Sequence, residues 1–147
     1  MQSLHYLLMK SHACLSRRIF SRAQQELGLS PGQPKVLDFL LENEGSDQKT
    51  IAANCEIEQA TLGSILLRME EKGLIERRRQ PGNRRSLFVY LTDSGKETAR
   101  KMNDIFRMED QIAASHLNEA QLAELLDLLE SVCKGIHDKN NQEADNN

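Results

Sequence analysis

Apolar spacing along this chain changes period at Gly73, and that one change limits the folds open to it. Before the glycine, Leu62, Ile65, Leu66 and Met69 fall at i, i+3, i+4 and i+7, the stripe of a helix buried on one face. Gly73 is a natural left-handed C-cap for such a helix. After it, Leu74 to Arg79 and Ser86 to Leu91 alternate with period two, and Gln80-Pro81-Gly82-Asn83 between them is turn chemistry. The spacing predicts a helix of about 58–72 running directly into a β-hairpin, inside a chain whose remaining periodicity is helical. The fold class that follows is mainly α with a small β-hairpin.

The other helices read from the same signals. A first runs from about Ser3 to Leu27, with Leu4, Leu8, Leu15, Ile19 and Ala23 at helical spacing and Gly28 as its stop. Ser30 reads as the N-cap of a second, about Gln33 to Asn43, with Pro31 in its first turn. Ser46 reads as the cap of a short third helix, Asp47 to about Cys55. Thr92 caps a fifth that ends near Ser115. The sixth begins with Asn118 as N-cap and Gln121 three residues on, with Leu117 and Leu122 placed for a hydrophobic staple. Its apolar seam, from Leu122 through Leu125, Leu126, Leu129 and Val132 to Ile136, precedes a polar, Asn-rich stretch from about Asp138 to Asn147 that reads as disordered.

Composition removes several function classes. With 147 residues, 39% hydrophobic, no Trp and only 4% aromatic, the chain fits one compact domain with a modest core. No apolar run reaches the roughly 20 residues of a membrane span, and the N-terminus lacks the charge and apolar pattern of a secretory signal. A cytoplasmic protein is expected, with no membrane partner. The three widely spaced cysteines, Cys14, Cys55 and Cys133, do not make a disulfide framework or a CxxC zinc site. Of the four histidines, His5 and His12 share a helix face, yet none forms a cluster at metal-ligand spacing. No metal or cofactor is expected. No phosphate-binding glycine loop, nucleophile elbow or paired carboxylates argue for an enzyme.

Charge distribution points elsewhere. The formal net charge is −3, a poor match to a polyanion when taken as a sum. From Arg68 to Arg85, however, the chain carries seven positive and three negative residues, so this stretch is +4 and the remainder −7. Five arginines fall within the nine residues from Arg77 to Arg85. Two helices joined by a tight turn, then a basic hairpin, make the order of a winged helix-turn-helix, which places one helix in the major groove and the hairpin beside it. With its apolar stripe turned inward, the helix before the hairpin presents Gln59, Ala60, Thr61, Gly63, Ser64 and Arg68, short or hydrogen-bonding side chains suited to close approach to base edges, although Arg68, two turns into the helix, reads as a phosphate contact before a base contact. On the hairpin, Arg77 and Arg79 share one side and Arg78 the other. Asn83, Arg84 and Arg85 form a tip able to enter a minor groove or clamp phosphates. Gly63 reads equally as clearance for DNA or as tight packing against a neighbouring helix. A winged helix serving only as a protein-interaction module is the alternative.

Two runs carry a resemblance to a known family. Ile51-Ala52-Ala53, Ile57 to Leu62 and Met69-Glu70-Glu71-Lys72-Gly73-Leu74-Ile75-Glu76-Arg77 resemble the MarR family helix-turn-helix. Asn83-Arg84-Arg85-Ser86 and Val89-Tyr90-Leu91-Thr92-Asp93-Ser94-Gly95 resemble its wing and the exit from it. The resemblance implies a repressor that binds a pseudo-palindromic double-stranded operator as a homodimer. It implies a DNA-binding lobe at about 29–95 and dimerisation helices at 1–28 and 96–137. Release by a small phenolic or lipophilic effector is also implied; His12, Phe39 and Met69 are candidate pocket residues. The apolar seam of the last helix agrees with dimerisation, since a small winged-helix core cannot cover it. The family wing usually reads Asp-x-Arg; here Arg85 takes the arginine place and Asn83 the aspartate place. Cys14 stands in the first helix, like the sensing cysteine of peroxide-responsive members, but about two turns later than that position. Cys55 and Cys133 read as packing residues.

Overall fold

A computed structural model describes residues 1–146, apart from the side chain of Arg84; Asn147 also lies outside the described residues. The elements are α1 (Leu4–Leu27), α2 (Gln33–Glu42), β1 (Ser46–Asp47), α3 (Gln48–Cys55), α4 (Gln59–Glu71), β2 (Ile75–Gln80), β3 (Asn83–Leu91), α5 (Asp93–Ala113) and α6 (Glu119–Asp145). The three strands form one antiparallel sheet in the order β1-β3-β2. By contacts the chain divides into Met1–Glu109 and the segment from Asp110 onward.

The first unit is built on a core of Val36, Leu37 and Leu40 from α2, Ile51 from α3, Leu62, Leu66 and Met69 from α4, and Val89 from β3, all fully buried. Ala99, Met102 and Ile105 add the inward stripe of α5. This is the helical face predicted for α4, with Ile65 only partly buried at its margin.

Local corrections arise where tertiary contacts outweigh the sequence signal. Ser46 is not the cap of α3; it pairs with Val89 in the sheet, and Asp47 caps the helix instead, its carboxylate accepting the Thr50 N–H at 2.8 Å. Those hydrogen bonds hold the Asp47 carboxyl below the usual carboxylate range. Ser30 does not cap α2 either. Gly32 occupies the N-cap position, and the Ser30 N–H donates to the Gln33 side chain.

The exit from the sheet is tight. The Thr92 hydroxyl donates to the Gly73 carbonyl at 2.6 Å and accepts the Gly95 N–H, capping α5 as its position predicts. The Thr92 N–H meanwhile bonds the Leu74 carbonyl at 3.1 Å. Gly95 lies so close to Leu74 that any Cβ would strike that carbonyl.

In the second unit, α6 opens with a full capping box: Asn118 accepts the Gln121 N–H, and Gln121 returns a bond to the Asn118 N–H. The helix continues through the 138–147 stretch, as far as Asp145, where composition predicts disorder. No proline or glycine interrupts that stretch, and an i,i+4 pair between Lys139 and Glu143 spans the last turns. No residue of α6 is buried. Cys55 is a buried packing residue, and burial pushes its thiol pKa up. Cys133 is not: it is exposed, as is Cys14.

Candidate nucleic-acid interface

The recognition element is assembled from α3 and α4. Glu56 ends α3 in a left-handed conformation (φ 53°), a conformation that L-residues adopt at a cost of order 1 kcal/mol or more. The Ile57 N–H closes back on the Ala52 carbonyl at 3.0 Å. That tight turn sends α4 away across α3. Gln48, the first residue of α3, donates its side-chain amide to the Gln59 carbonyl at 3.3 Å. A Cβ on Gly63 would meet the same amide nitrogen at 3.3 Å. The neighbour that Gly63 makes room for is thus a side chain of α3.

With Leu62, Leu66 and Met69 inward, Gln59, Ala60, Thr61, Ser64 and Arg68 are all exposed, and Gly63 is half-buried. Leu67 joins them at 48% exposure, a residue that the stripe analysis passed over. The signal was present: Ala60, Ser64 and Leu67 fall at i, i+4 and i+7 on the side opposite the buried stripe.

The hairpin separates its arginines into different environments. Arg77, half-buried, donates from Nε to Glu70 of α4 at 2.8 Å, fastening the strand to the helix. That hydrogen bond holds the Glu70 carboxyl below the usual range. Arg78 lies 4.3 Å from the centre of the Tyr90 ring, a cation–π distance, and pairs with Glu76. Arg79 is exposed. Pro81 and Gly82 make the turn, with Gly82 in the left-handed region at φ 83°.

At the tip, the Asn83 side-chain oxygen accepts the backbone N–H groups of both Arg85 and Ser86 at 3.2 Å. Asn83 therefore organises the loop through its carbonyl, with no need of a formal charge. Arg85 is exposed; the Arg84 side chain lies outside the described residues.

Also within the first unit, an apolar cleft of about 640 Å³ opens between α1, the start of α2 and α5. Leu15, Ile19, Phe20, Pro34 and Phe106 form its walls, and His12, Arg17 and Lys35 supply polar groups. Of the three sequence-derived pocket residues, only His12 lines it. Met69 is fully buried in the core and Phe39 packs against that core. Sequence reading also missed Glu109, which is 1% exposed. It accepts Arg18 Nε at 2.6 Å and Arg22 Nη1 at 3.4 Å, and Arg22 reaches on to Glu26. The Arg18 hydrogen bond chiefly, then Arg22, keeps the Glu109 carboxyl below its usual range against the opposing effect of burial.

Comparison with known proteins gives the family. The MarR family profile matches residues 27–86. An uncharacterised helix-turn-helix transcriptional regulator of Bacillus subtilis, YdgJ, is 30% identical over 120 residues, 80% of this chain and 70% of the relative. The chain belongs to the MarR family of transcriptional regulators. The regulator also spans 61% of the length of a relative from Thauera aromatica, with 26% identity over 102 residues. Among solved structures, the transcriptional repressor CouR bound to a 23-mer DNA duplex superposes with a TM-score of 0.80 at 26% identity, over 89% of this chain and 92% of that one. A Listeria monocytogenes protein complexed with 26mer DNA shares the fold at a TM-score of 0.89 and 22% identity, over 95% and 92% of the two chains.

The winged-helix class is therefore established, with a third short strand, β1, added to the expected hairpin. The family is one of DNA-binding regulators and not of enzymes. Among the described residues, no helix is long and apolar enough to cross a membrane.

Proposed function

We propose that this regulator is a repressor that binds a pseudo-palindromic operator as a homodimer and leaves it when a small lipophilic or phenolic molecule fills the apolar cleft. The observation that carries the reading is the union, in one folded unit, of an outward α4 face free of bulky charge before Arg68 and a wing whose tip residue Arg85 stands exposed beside an organised Asn83. A major-groove helix needs close approach to base edges, and a wing needs a guanidinium that reaches backbone or minor groove. The DNA-bound repressor CouR, at 26% identity, supports the same use of the fold. The proposed contacts are Gln59, Ala60, Thr61, Ser64 and Arg68 on α4, with Arg79, Asn83, Arg84 and Arg85 on the wing; Gly63, expected with them, instead gives room to Gln48. Strand parity places Arg77 among them. Its bond to Glu70 gives it a buttressing role first.

Dimerisation is supported by apolar surface that the chain itself does not cover. Leu4, Leu7 and Met9 of α1 and Leu125, Leu126, Leu128, Leu129 and Ile136 of α6 are all exposed. Patches of this kind on a water-exposed chain mark association surfaces. A two-fold pair would present two recognition helices to half-sites about one helical turn apart. The cleft supports effector release because a ligand shifts DNA affinity when it prefers one arrangement of the helices that line it.

The test is selection of bound duplexes from random double-stranded DNA, followed by footprinting. The expected result is an inverted repeat bound by two chains, with affinity falling steeply as salt rises. Absence of binding at low salt would overturn the reading in favour of a protein-interaction module. An asymmetric site bound by one chain would overturn the dimeric operator alone.

A further inference from the structure

We propose that Leu67 reads the C5-methyl group of a thymine in the major groove, which makes it a specificity-determining residue of the regulator. The proposal rests on the reading of α4 as the recognition helix and goes beyond it by naming the chemical feature recognised. Opposite the buried Leu62, Leu66 and Met69, the outward row of α4 runs Ala60, Ser64, Leu67 and Glu71. Ala60 and Ser64 are short, so Leu67 is the first side chain along that row to stand well clear of the helix.

A lone surface leucine is ordinarily unremarked, because much of any protein surface is apolar. Position gives this one its meaning. It is 48% exposed on the helix face that approaches base edges. A leucine has no donor or acceptor for a phosphate or for a base edge. The thymine methyl is the one apolar group that the major-groove edges of the base pairs display. Leu67 thus distinguishes thymine from cytosine by burying that methyl, while the polar side chains around it carry the hydrogen bonds.

Burial of one methyl-sized group corresponds to about fourfold in affinity. The experiment uses the full-length protein and a duplex enriched on it from random DNA. Each thymine is replaced in turn by deoxyuridine, which keeps the pairing face and lacks the methyl. Wild-type protein should lose about fourfold at one thymine within the recognition-helix footprint. Leu67→Ala, at an exposed position where alanine favours the helix, should bind the thymine duplex more weakly and lose that discrimination. Leu67→Met, still apolar and of similar reach, should retain it.

The proposal is overturned if no thymine methyl matters, or if the methyl effect persists undiminished in Leu67→Ala, which would assign it to Ala60 or Thr61. Failure to enrich any duplex at all would instead remove the DNA-binding reading, and this proposal with it.

Discussion

At the wing tip, Asn83 accepts two backbone N–H groups while Arg85 stands exposed. The two residues should therefore fail differently when changed. Arg85→Ala removes one proposed DNA-contacting cation per chain, so for an operator bound by two chains the slope of log affinity against log salt should become shallower by about two units. Asn83→Ala removes no charge. It should weaken binding by up to about tenfold, the worth of one to two exposed hydrogen bonds, and leave the salt slope unchanged. Asn83→Asp retains the acceptor and should keep the loop. Equal slopes for wild type and Arg85→Ala would refute the division of roles. The wing arginines were legible in the sequence as charge, and strand parity correctly set Arg78 apart from its neighbours. Their partners were not legible. Glu70 lies on a different element from Arg77, and Tyr90 reaches Arg78 only once β2 and β3 have paired in register.

Among the elements, the junction of α4, the sheet and α5 holds the wing at its root. Thr92 bonds Gly73 and receives Gly95, while the Gly95 backbone rests on the Leu74 carbonyl. Gly95→Ala forces those two backbones apart and should cost about 2 kcal/mol or more of stability, measured by urea denaturation. A change within experimental error would mean that the corner can yield. The contact between α1 and α5 through Glu109 makes a second prediction. Its carboxyl is held below the ordinary glutamate value of about 4.3 by Arg18 and Arg22. Its stabilising contribution is present above that value and is lost as pH falls through the depressed one. The melting temperature of wild type should thus decline below about pH 4.3 more steeply than that of Glu109→Gln; matching profiles would exclude the cluster as a source of acid sensitivity.

These elements also show where sequence reading reaches its limit. The capping box of α6 and the stripe of α4 depend on residues within four positions of each other, and both were legible. The strand β1 has two residues and exists only through Val89 and Phe88. Glu109 finds Arg18 across 91 positions. No local pattern encodes such distant partners.

For the whole molecule, the governing fact is a 27-residue helix, α6, without a buried residue. Truncation before Leu117 should yield monomeric or insoluble protein if α6 belongs to the association surface; a stable dimer lacking it would place the interface elsewhere. Light scattering with size-exclusion chromatography distinguishes these outcomes. The apparent melting temperature of the intact protein should also rise with its concentration, since association favours the folded state by mass action. A regulator that pairs through this bare helix would gauge its own abundance. Below the dimer dissociation constant, a twofold dilution of the chain, as when a cell doubles its volume before dividing, lowers the concentration of such pairs to about a quarter and their number to about half. Occupancy of a site would then fall more steeply than in proportion to the chain concentration.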